Sequence, residues 1–163
     1  MRTNMEIYFD SVRLVAREPL PAAPVECSLR RGALASPGFA RRTTGPQRQP
    51  FYDRADLRPL WDCRFQRGLH TEFGDVRALL ARADAAPVVF GPGEEIALDF
   101  VSPAAPPAPG TVRRYLLEVR GWCKDMDLFT RDGETIEPLP GPPADAAAAE
   151  LLRSSRTRPA GGR

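Results

Sequence analysis

The stretch PVVFGPGEEIALDF, residues 87–100, indicates the class of fold. Ile96 and Leu98 alternate with charged or small residues, and this period of two places every second side chain on the buried face of a strand. A Gly-Pro-Gly turn at residues 91–93 separates this strand from the apolar residues 88–90, which predicts a hairpin. The stretch therefore predicts antiparallel β-structure.

Other segments extend this interpretation along the chain. The same alternation, typical of strands, recurs at residues 5–14, 25–35 and 111–122. Residues 74–84 instead have apolar residues at helical spacing behind Asp75 in the N-cap position, which predicts one short amphipathic helix.

Composition limits the architecture further. The chain has 163 residues, with 18 Pro and 13 Gly that disfavour long helices. This length suffices for one domain with a modest core. We therefore predict a mainly β chain, with a single antiparallel β-sandwich-like domain over residues 1–140 and a disordered tail over residues 141–163.

Residues 36–61 combine arginines and aromatic residues without a usable period. Four prolines interrupt the segment, so we predict a long irregular Arg/aromatic loop that packs through its own aromatic side chains. Arginine and aromatic side chains are common contact residues on binding surfaces. The candidate binding residues of this loop are Arg48, Tyr52, Arg54 and Trp61.

Residues 121–140, GWCKDMDLFTRDGETIEPLP, form an acidic segment around an Asp-Gly turn. Asp125, Asp127 and Asp132 carry the hard oxygen ligands that calcium takes, although Thr130 stands where an EF-hand loop needs glycine. These three aspartates are the candidate metal ligands.

A structural interpretation of the same segment is favoured. In it the aspartates bond turn backbone, Lys124 pairs with neighbouring carboxylates, and four apolar residues pack inward: Trp122, Met126, Leu128 and Ile136. Trp122 and Lys124 remain secondary candidates for a binding surface.

Charge and cysteine content exclude some function classes. Residues 30–67 hold nine Arg against three Asp, whereas residues 68–152 hold seven basic and fourteen acidic residues. The acidic segment in the same chain disfavours nucleic-acid binding, which the basic segment alone would suggest. The three cysteines lie far apart, without a CxxC pair and with a single histidine to support them, which disfavours a structural zinc site of four ligands.

No apolar run approaches the roughly 20 residues that span a bilayer. The first residues alternate in polarity where a signal peptide would have a continuous apolar core. We therefore expect a soluble, unexported chain that does not contact a membrane.

Five blocks in order carry a family resemblance: RTNMEIYFD, RTTGPQRQPFYDR, GDVRALL, FGPGEEIALDF and GWCKDMDLFTRDGETIEPLP. Together they resemble the C-terminal module of bacterial cartilage-acidic-protein-like proteins, which carry FG-GAP repeats and an ASPIC/UnbV segment, often with tetratricopeptide repeats. No D-x-D-x-D-G calcium loop of the FG-GAP type is present. The resemblance implies an N-terminally truncated module that docks on a missing region of its parent protein.

These observations predict a non-catalytic accessory or binding module whose ligand is a glycan or another protein. One alternative is a metal-dependent or hydrolytic enzyme fragment centred on Asp125, Asp127 and His70, which requires these groups to converge in a pocket. His70 has no Cys or second His nearby, so a solvated or hydrogen-bonded side chain is expected. Another alternative is Arg-driven binding of anions or nucleic acid, which predicts a steep dependence on salt.

Overall fold

The structure, a computed structural model, describes residues 24–59 and 64–160. Seven strands, two α-helices and one 3₁₀ turn form within these ranges. In chain order they are β1 (Leu29–Ala35), β2 (Phe39–Thr44), the 3₁₀ turn (Pro46–Arg48), β3 (Pro50–Arg58), β4 (Leu69–Thr71), β5 (Gly74–Asp75), α1 (Arg77–Leu80), β6 (Glu95–Phe100), α2 (Ala146–Ser155) and β7 (Arg156–Pro159). The strand predicted at residues 5–14 lies outside the described residues.

The central sheet has three antiparallel strands in the order β5-β1-β6. Leu34 of β1 lies opposite Ile96 of β6, and Gly32 lies opposite Leu98, so the alternating patterns of the two strands coincide. The predicted strands at residues 25–35 and 96–100 are thus confirmed, and so is the mainly β class. The sandwich-like arrangement stays a prediction.

The predicted hairpin at residues 88–100 is wrong in its pairing. The Val89 carbonyl accepts a hydrogen bond from the Thr71 amide at 2.9 Å, and the Val89 amide donates to Thr71 Oγ1 at 2.8 Å. Residues 88–90 therefore lie against β4 as irregular chain, while β6 pairs with β1. Local alternation identifies a strand but does not select its partner.

The hydrophobic core lies between β1 and the two helices. Leu34 of β1 packs with Leu79 of α1, and with Ala148 and Leu152 of α2, all of them buried. Burying each leucine side chain contributes about 1.5–3 kcal/mol relative to exposure. The helices thus cover the central sheet.

The predicted disordered tail over residues 141–163 is wrong for residues 146–159. An alanine run with high helix propensity forms α2, and the Asp145 carboxylate caps it by accepting the Ala148 amide at 2.7 Å. β7 continues directly from α2 and pairs with β4. Burial of Ala148 and Leu152 stabilises this helix, which composition alone did not predict.

The helix predicted at residues 74–84 is present but short. Its hydrogen-bonded part covers only Arg77–Leu80. The predicted N-cap at Asp75 is wrong, because the N-cap residue is Val76, although Asp75 Oδ1 does accept the Arg77 amide at 3.0 Å. Hydrogen bonds from the Arg77 guanidinium lower the pKa of Asp75 to about 2. Asp84 ends the segment because its buried carboxylate accepts the Ala86 amide at 3.1 Å in a turn.

The predicted strand at residues 111–122 is absent, because it has no pairing partner among the described residues. Tyr115, Leu117 and Val119, expected on a buried face, are all exposed. Trp122 is 53% exposed and so is not a core anchor, and Leu128 is 99% exposed; of the expected inward residues Ile136 is buried. In the described part of the chain no helix has the length and apolar character needed to cross a membrane.

Candidate binding surface on the β2–β3 hairpin

The predicted irregular loop is wrong over residues 39–58, where β2 and β3 form a two-stranded antiparallel hairpin around the 3₁₀ turn. The prolines are compatible with this structure. Pro46 begins the turn, and Pro50 is the first residue of β3, two positions that tolerate a missing amide hydrogen. Trp61 lies outside the described residues, so its place in a binding surface stays a prediction.

The base of the hairpin is fixed to the entry of β6. The Gly38 amide donates to the Gly93 carbonyl at 3.1 Å. Gly38 has φ +101°, and a Cβ there would lie 2.4 Å from the Arg58 carbonyl oxygen, so only glycine fits this crossing. The hairpin extends from this anchor and contributes no side chain to the core cluster.

Part of the hairpin is neutralised by its own ion pairs. Arg41 lies 3.4 Å from Asp53, its partner in the register, and 2.9 Å from Asp56. Arg58 also contacts Asp56, at 2.8 Å. The Ala55 amide and Arg41 both donate to Asp53 and lower the pKa of that carboxyl. These charges stabilise one another and are partly screened from an external ligand.

The next pair of the hairpin, toward the turn, contains no carboxylate: Arg42 lies directly across from Tyr52. Arg54 follows Tyr52 by two residues, in the stretch 54–56 that a register shift leaves without a partner in β2. We call these three residues the arginine–tyrosine face. Within residues 24–59 and 64–160, the guanidinium group of neither arginine forms an ion pair or hydrogen bond, and the Tyr52 side chain is exposed.

Two further features surround this face. Arg48, in the turn, has a left-handed backbone conformation with φ 60° and likewise lacks an ion pair among the described side chains. A shallow pocket of about 170 Å³ is lined by Phe39, Ala40, Arg42 and Tyr52. The pocket shows that the Arg42 and Tyr52 side chains border one space.

Sequence reasoning found Arg48, Tyr52 and Arg54 but missed Arg42. Because the segment was interpreted as irregular, there was no register to place Arg42 across from Tyr52. Alternation in FARRTT is weak, since two arginines are adjacent and both faces are polar. The Gly45-Pro46 pair, at the start of the 3₁₀ turn, was the available signal of a turn between two strands.

The aspartates of the acidic segment contact groups within the same turn. Asp127 Oδ1 accepts the Phe129 amide at 2.9 Å and the Thr130 amide at 2.6 Å, and bonds to Thr130 lower the pKa of this carboxyl. Asp132 lies 3.5 Å from Arg131 in the turn. Across the described ranges, no three His, Cys, Asp or Glu side chains converge where a metal ion could sit, so the set Asp125, Asp127 and Asp132 is not brought together.

Trp122 and Lys124 form a separate pair beside that segment. Lys124 Nζ lies 5.9 Å from the centroid of the Trp122 ring and donates to the Glu137 backbone carbonyl at 2.8 Å, instead of pairing with a carboxylate as expected. No described hydrogen bond or ion pair joins either residue to the β2–β3 hairpin. The structure therefore does not unite them with the arginine–tyrosine face.

The residues of the enzyme alternative lie in different surroundings. His70 on β4 is 2% exposed, which overturns the expected solvated side chain, and its buried Nδ1 has no hydrogen-bond partner in the described chain. Burial lowers the pKa of His70, against an opposing effect of nearby Glu94. Asp125 and Asp127 are exposed. A buried histidine and solvated aspartates do not share the environment of one catalytic pocket.

Comparison of the chain with protein-family models, curated proteins and solved structures finds no match. The resemblance to the C-terminal module of cartilage-acidic-protein-like proteins therefore stays a prediction. Functional inference consequently rests on the surface geometry described above.

Proposed function

We propose that this chain is a non-catalytic binding module that recognises an acidic protein surface through the arginine–tyrosine face. It would serve as an accessory part of a larger FG-GAP/ASPIC-UnbV-like protein, and a sandwich-like β-domain belongs to the same proposal. The observation that carries it is the pair of unpaired guanidinium groups of Arg42 and Arg54 beside an exposed Tyr52.

Arginine and tyrosine are the residue types most enriched among the energetically dominant residues of protein interfaces. A guanidinium binds a carboxylate through two parallel hydrogen bonds, and an adjacent ring supplies apolar contact area. The hairpin carries both groups on two paired strands, and none of its side chains belongs to the core cluster. These properties favour contact with a partner over a role in folding.

Pocket size favours a macromolecular partner over an enclosed substrate. Two pockets in the described structure measure about 170 Å³, at the hairpin, and about 230 Å³, between β5, α1 and α2. Small-molecule and substrate sites typically measure about 300–1,000 Å³. The hairpin pocket can seat one side chain of a partner, which agrees with a surface contact.

A direct test uses a fluorescent 20-residue poly-glutamate peptide as a probe of carboxylate recognition, with anisotropy measured at 50 mM salt. The double variant Arg42→Gln/Arg54→Gln should weaken binding at least about tenfold, since each lost charge-assisted hydrogen bond contributes about 1.5–3 kcal/mol. Tyr52→Ala should weaken it by a smaller factor.

The chain offers a matched control on the same hairpin. Arg41→Gln/Arg58→Gln removes the same two charges from arginines that already contact Asp53 and Asp56. It should weaken binding no more than about threefold. An equal loss in the two double variants would show that net charge alone drives binding and would refute the proposed face.

Competition with the peptide distinguishes the proposed acidic protein partner from two other classes of ligand. Heparin, as a sulfated glycan, and a 20-nucleotide single-stranded DNA serve as competitors of the peptide. Displacement at substantially lower concentration by heparin would replace the protein partner with an acidic glycan. Displacement by DNA with a steep salt dependence would indicate nucleic-acid binding instead. Failure of the peptide to bind at 50 mM salt would refute the proposal.

A further inference from the structure

A proline-rich segment, SPAAPPAPG at residues 102–110, follows β6 and is not part of the arginine–tyrosine face. Its residues 104–109 are all exposed, and none of residues 102–110 carries a charged side chain. Proline-rich sequences of this kind are typical either of rigid linkers or of segments that other proteins recognise.

The order of the prolines restricts the backbone of residues 105–109. Each proline fixes its own φ at about −65°, and Ala105 and Ala108 each precede a proline, which disfavours the α conformation for them. The polyproline II helix satisfies both restrictions and has three residues per turn. It therefore places Pro106 and Pro109 on one edge, about 9 Å apart. Residues 106–108 run without a helix, strand or bend in the structure, which agrees with this extended conformation.

Hydrogen bonds hold both ends of the segment. At its start, Arg113 donates to the Pro103 carbonyl at 3.1 Å and also to the Ala105 carbonyl. At its end, the Thr111 amide and hydroxyl both donate to the Ala108 carbonyl, at 3.0 and 2.6 Å. A segment that is fixed in this way loses little conformational freedom when a partner binds it.

A second P-x-x-P sequence in the described structure is not presented in the same manner. Pro140 and Pro143 have the same spacing, but the chain bends at residue 141 between them, and Pro143 is partly buried. Leu139, directly before this sequence, packs against the core cluster. Exposure and an unbent backbone, and not spacing alone, therefore distinguish residues 105–109.

We propose that residues 105–109 bind, as a polyproline II helix, in an apolar groove lined by aromatic side chains on a partner protein. In this mode of recognition, proline rings on one edge of the helix pack against the aromatic rings of the groove. The contact requires no charge on the segment. It is therefore independent of the arginine–tyrosine face and of the acidic ligand proposed for that face.

NMR titration of the full, nitrogen-15-labelled chain tests this contact. The probes are one unlabelled SH3 domain and one unlabelled WW domain, which have aromatic-lined grooves, each added up to about 1 mM. At least one probe should shift the amide resonances of Ala105, Ala108 and Gly110 more than those of the central sheet. Its affinity should change less than about threefold between about 50 and about 500 mM salt, because the segment carries no charge.

The variant Pro106→Ala/Pro109→Ala removes both rings from the proposed edge and should weaken binding of that probe at least about tenfold. Its free energy of unfolding, measured in urea, should equal that of the parent chain, because both prolines are exposed. 

Two control variants remove the same number of prolines from the other P-x-x-P sequences. Pro140→Ala/Pro143→Ala changes the bent sequence, and Pro21→Ala/Pro24→Ala changes PAAP at residues 21–24, part of which lies outside the described structure. Both should keep the affinity of the parent chain within about twofold.

Three results would overturn the proposal. One is the absence of resonance shifts at residues 104–111 with both probes. Another is unchanged affinity in Pro106→Ala/Pro109→Ala, or a larger loss in either control variant. The third is binding that declines steeply with salt and is lost in Arg42→Gln/Arg54→Gln, because it would place the contact on the arginine–tyrosine face.

Discussion

Two groups of arginine–carboxylate pairs in this molecule have the same chemistry and opposite surroundings. Arg158 of β7 and Glu94 form two bonds of 2.7 and 2.9 Å and are 5% and 3% exposed. On the hairpin, Arg41 pairs with Asp53 and Asp56 at comparable distances, but these side chains are one third to one half exposed. Surroundings, and not contact distance, therefore distinguish the two groups.

The buried Arg158–Glu94 pair makes further contacts with the residues around it. The Arg158 guanidinium also donates to the Thr71 carbonyl at 3.1 Å and lies 3.9 Å from the centroid of the Phe73 ring, while Glu94 accepts the Gly91 amide at 2.8 Å. It thus connects β7, β4 and the turn before β6. Desolvated charges need such complete pairing, whereas solvated charges lose little when a partner is removed.

The largest expected effect comes from a substitution that breaks the buried Arg158–Glu94 pair. Glu94→Gln should lower the free energy of unfolding by about 3–5 kcal/mol, because it leaves the Arg158 charge buried without a counter-charge. Urea denaturation measures this difference. As a control, the double variant Glu94→Gln/Arg158→Met should recover part of the loss. A loss below about 1 kcal/mol for Glu94→Gln would show that water reaches the pair.

The free energy of unfolding should depend on pH because of His70, which lies in the same buried region. His70 is the only histidine of the chain, and burial places its folded-state pKa below its ordinary value of 6.5. The unfolded chain therefore binds the proton first as pH falls. Stability should be constant above pH 7 and should decline below pH 6.5, by at most about 1.4 kcal/mol per pH unit.

The charged neighbours of His70 are Glu94, Arg158 and Arg156. Urea denaturation between pH 7.5 and 5.5 measures the decline, and His70→Gln removes the titrating group without adding charge. The variant should show a flat profile over this range. A slope that persists in His70→Gln would assign the pH dependence to the carboxylates.

Asp145 is an intermediate case, because it is half-exposed yet caps a helix that reaches the core. Asp145→Ala should lower the free energy of unfolding by about 1 kcal/mol through loss of the bond from the Ala148 amide. Its pairing with Arg82 at 3.2 Å adds little in water. Asp145→Asn, which retains a capping oxygen, should lose less, and thermal unfolding of both variants gives the comparison.

The smallest expected effect is on the hairpin. Arg41→Gln should change the free energy of unfolding by less than about 1 kcal/mol, because both partners are solvated. Urea denaturation at low and high salt measures it, and high salt should reduce the difference further. A loss as large as that of Glu94→Gln would contradict the comparison between the buried and exposed pairs.

Some elements followed directly from the sequence because their signal is local. Alternation in residues 96–100 and 25–35 identified strands of the central sheet, and helical spacing in residues 74–84 identified the segment that contains α1. The Asp-Gly turn at residues 132–133 is also present, with the Gly133 amide donating to the Thr130 carbonyl at 3.1 Å. In each case the residues that determine the element are neighbours in the sequence.

Other elements were missed because their stabilisation comes from distant residues. The polar hairpin has no buried face to impose a period, so its register and Arg42 could not be inferred. Helix α2 depends on burial of Ala148 and Leu152 in the core cluster. Conversely, the strong alternation of residues 111–122 produced no strand within the described structure, because a strand requires a partner.

The sequence by itself determined that this chain is mainly β and where several strands, one turn and one helix begin. It also supplied two arginines and a tyrosine of the candidate surface, without their arrangement. Only the tertiary structure decided which arginines are paired, that Glu94 and Arg158 are buried together, and that Arg42 faces outward beside Tyr52. The physical reason is that periodicity acts between neighbours, whereas desolvation and charge pairing depend on residues that folding brings together from distant positions.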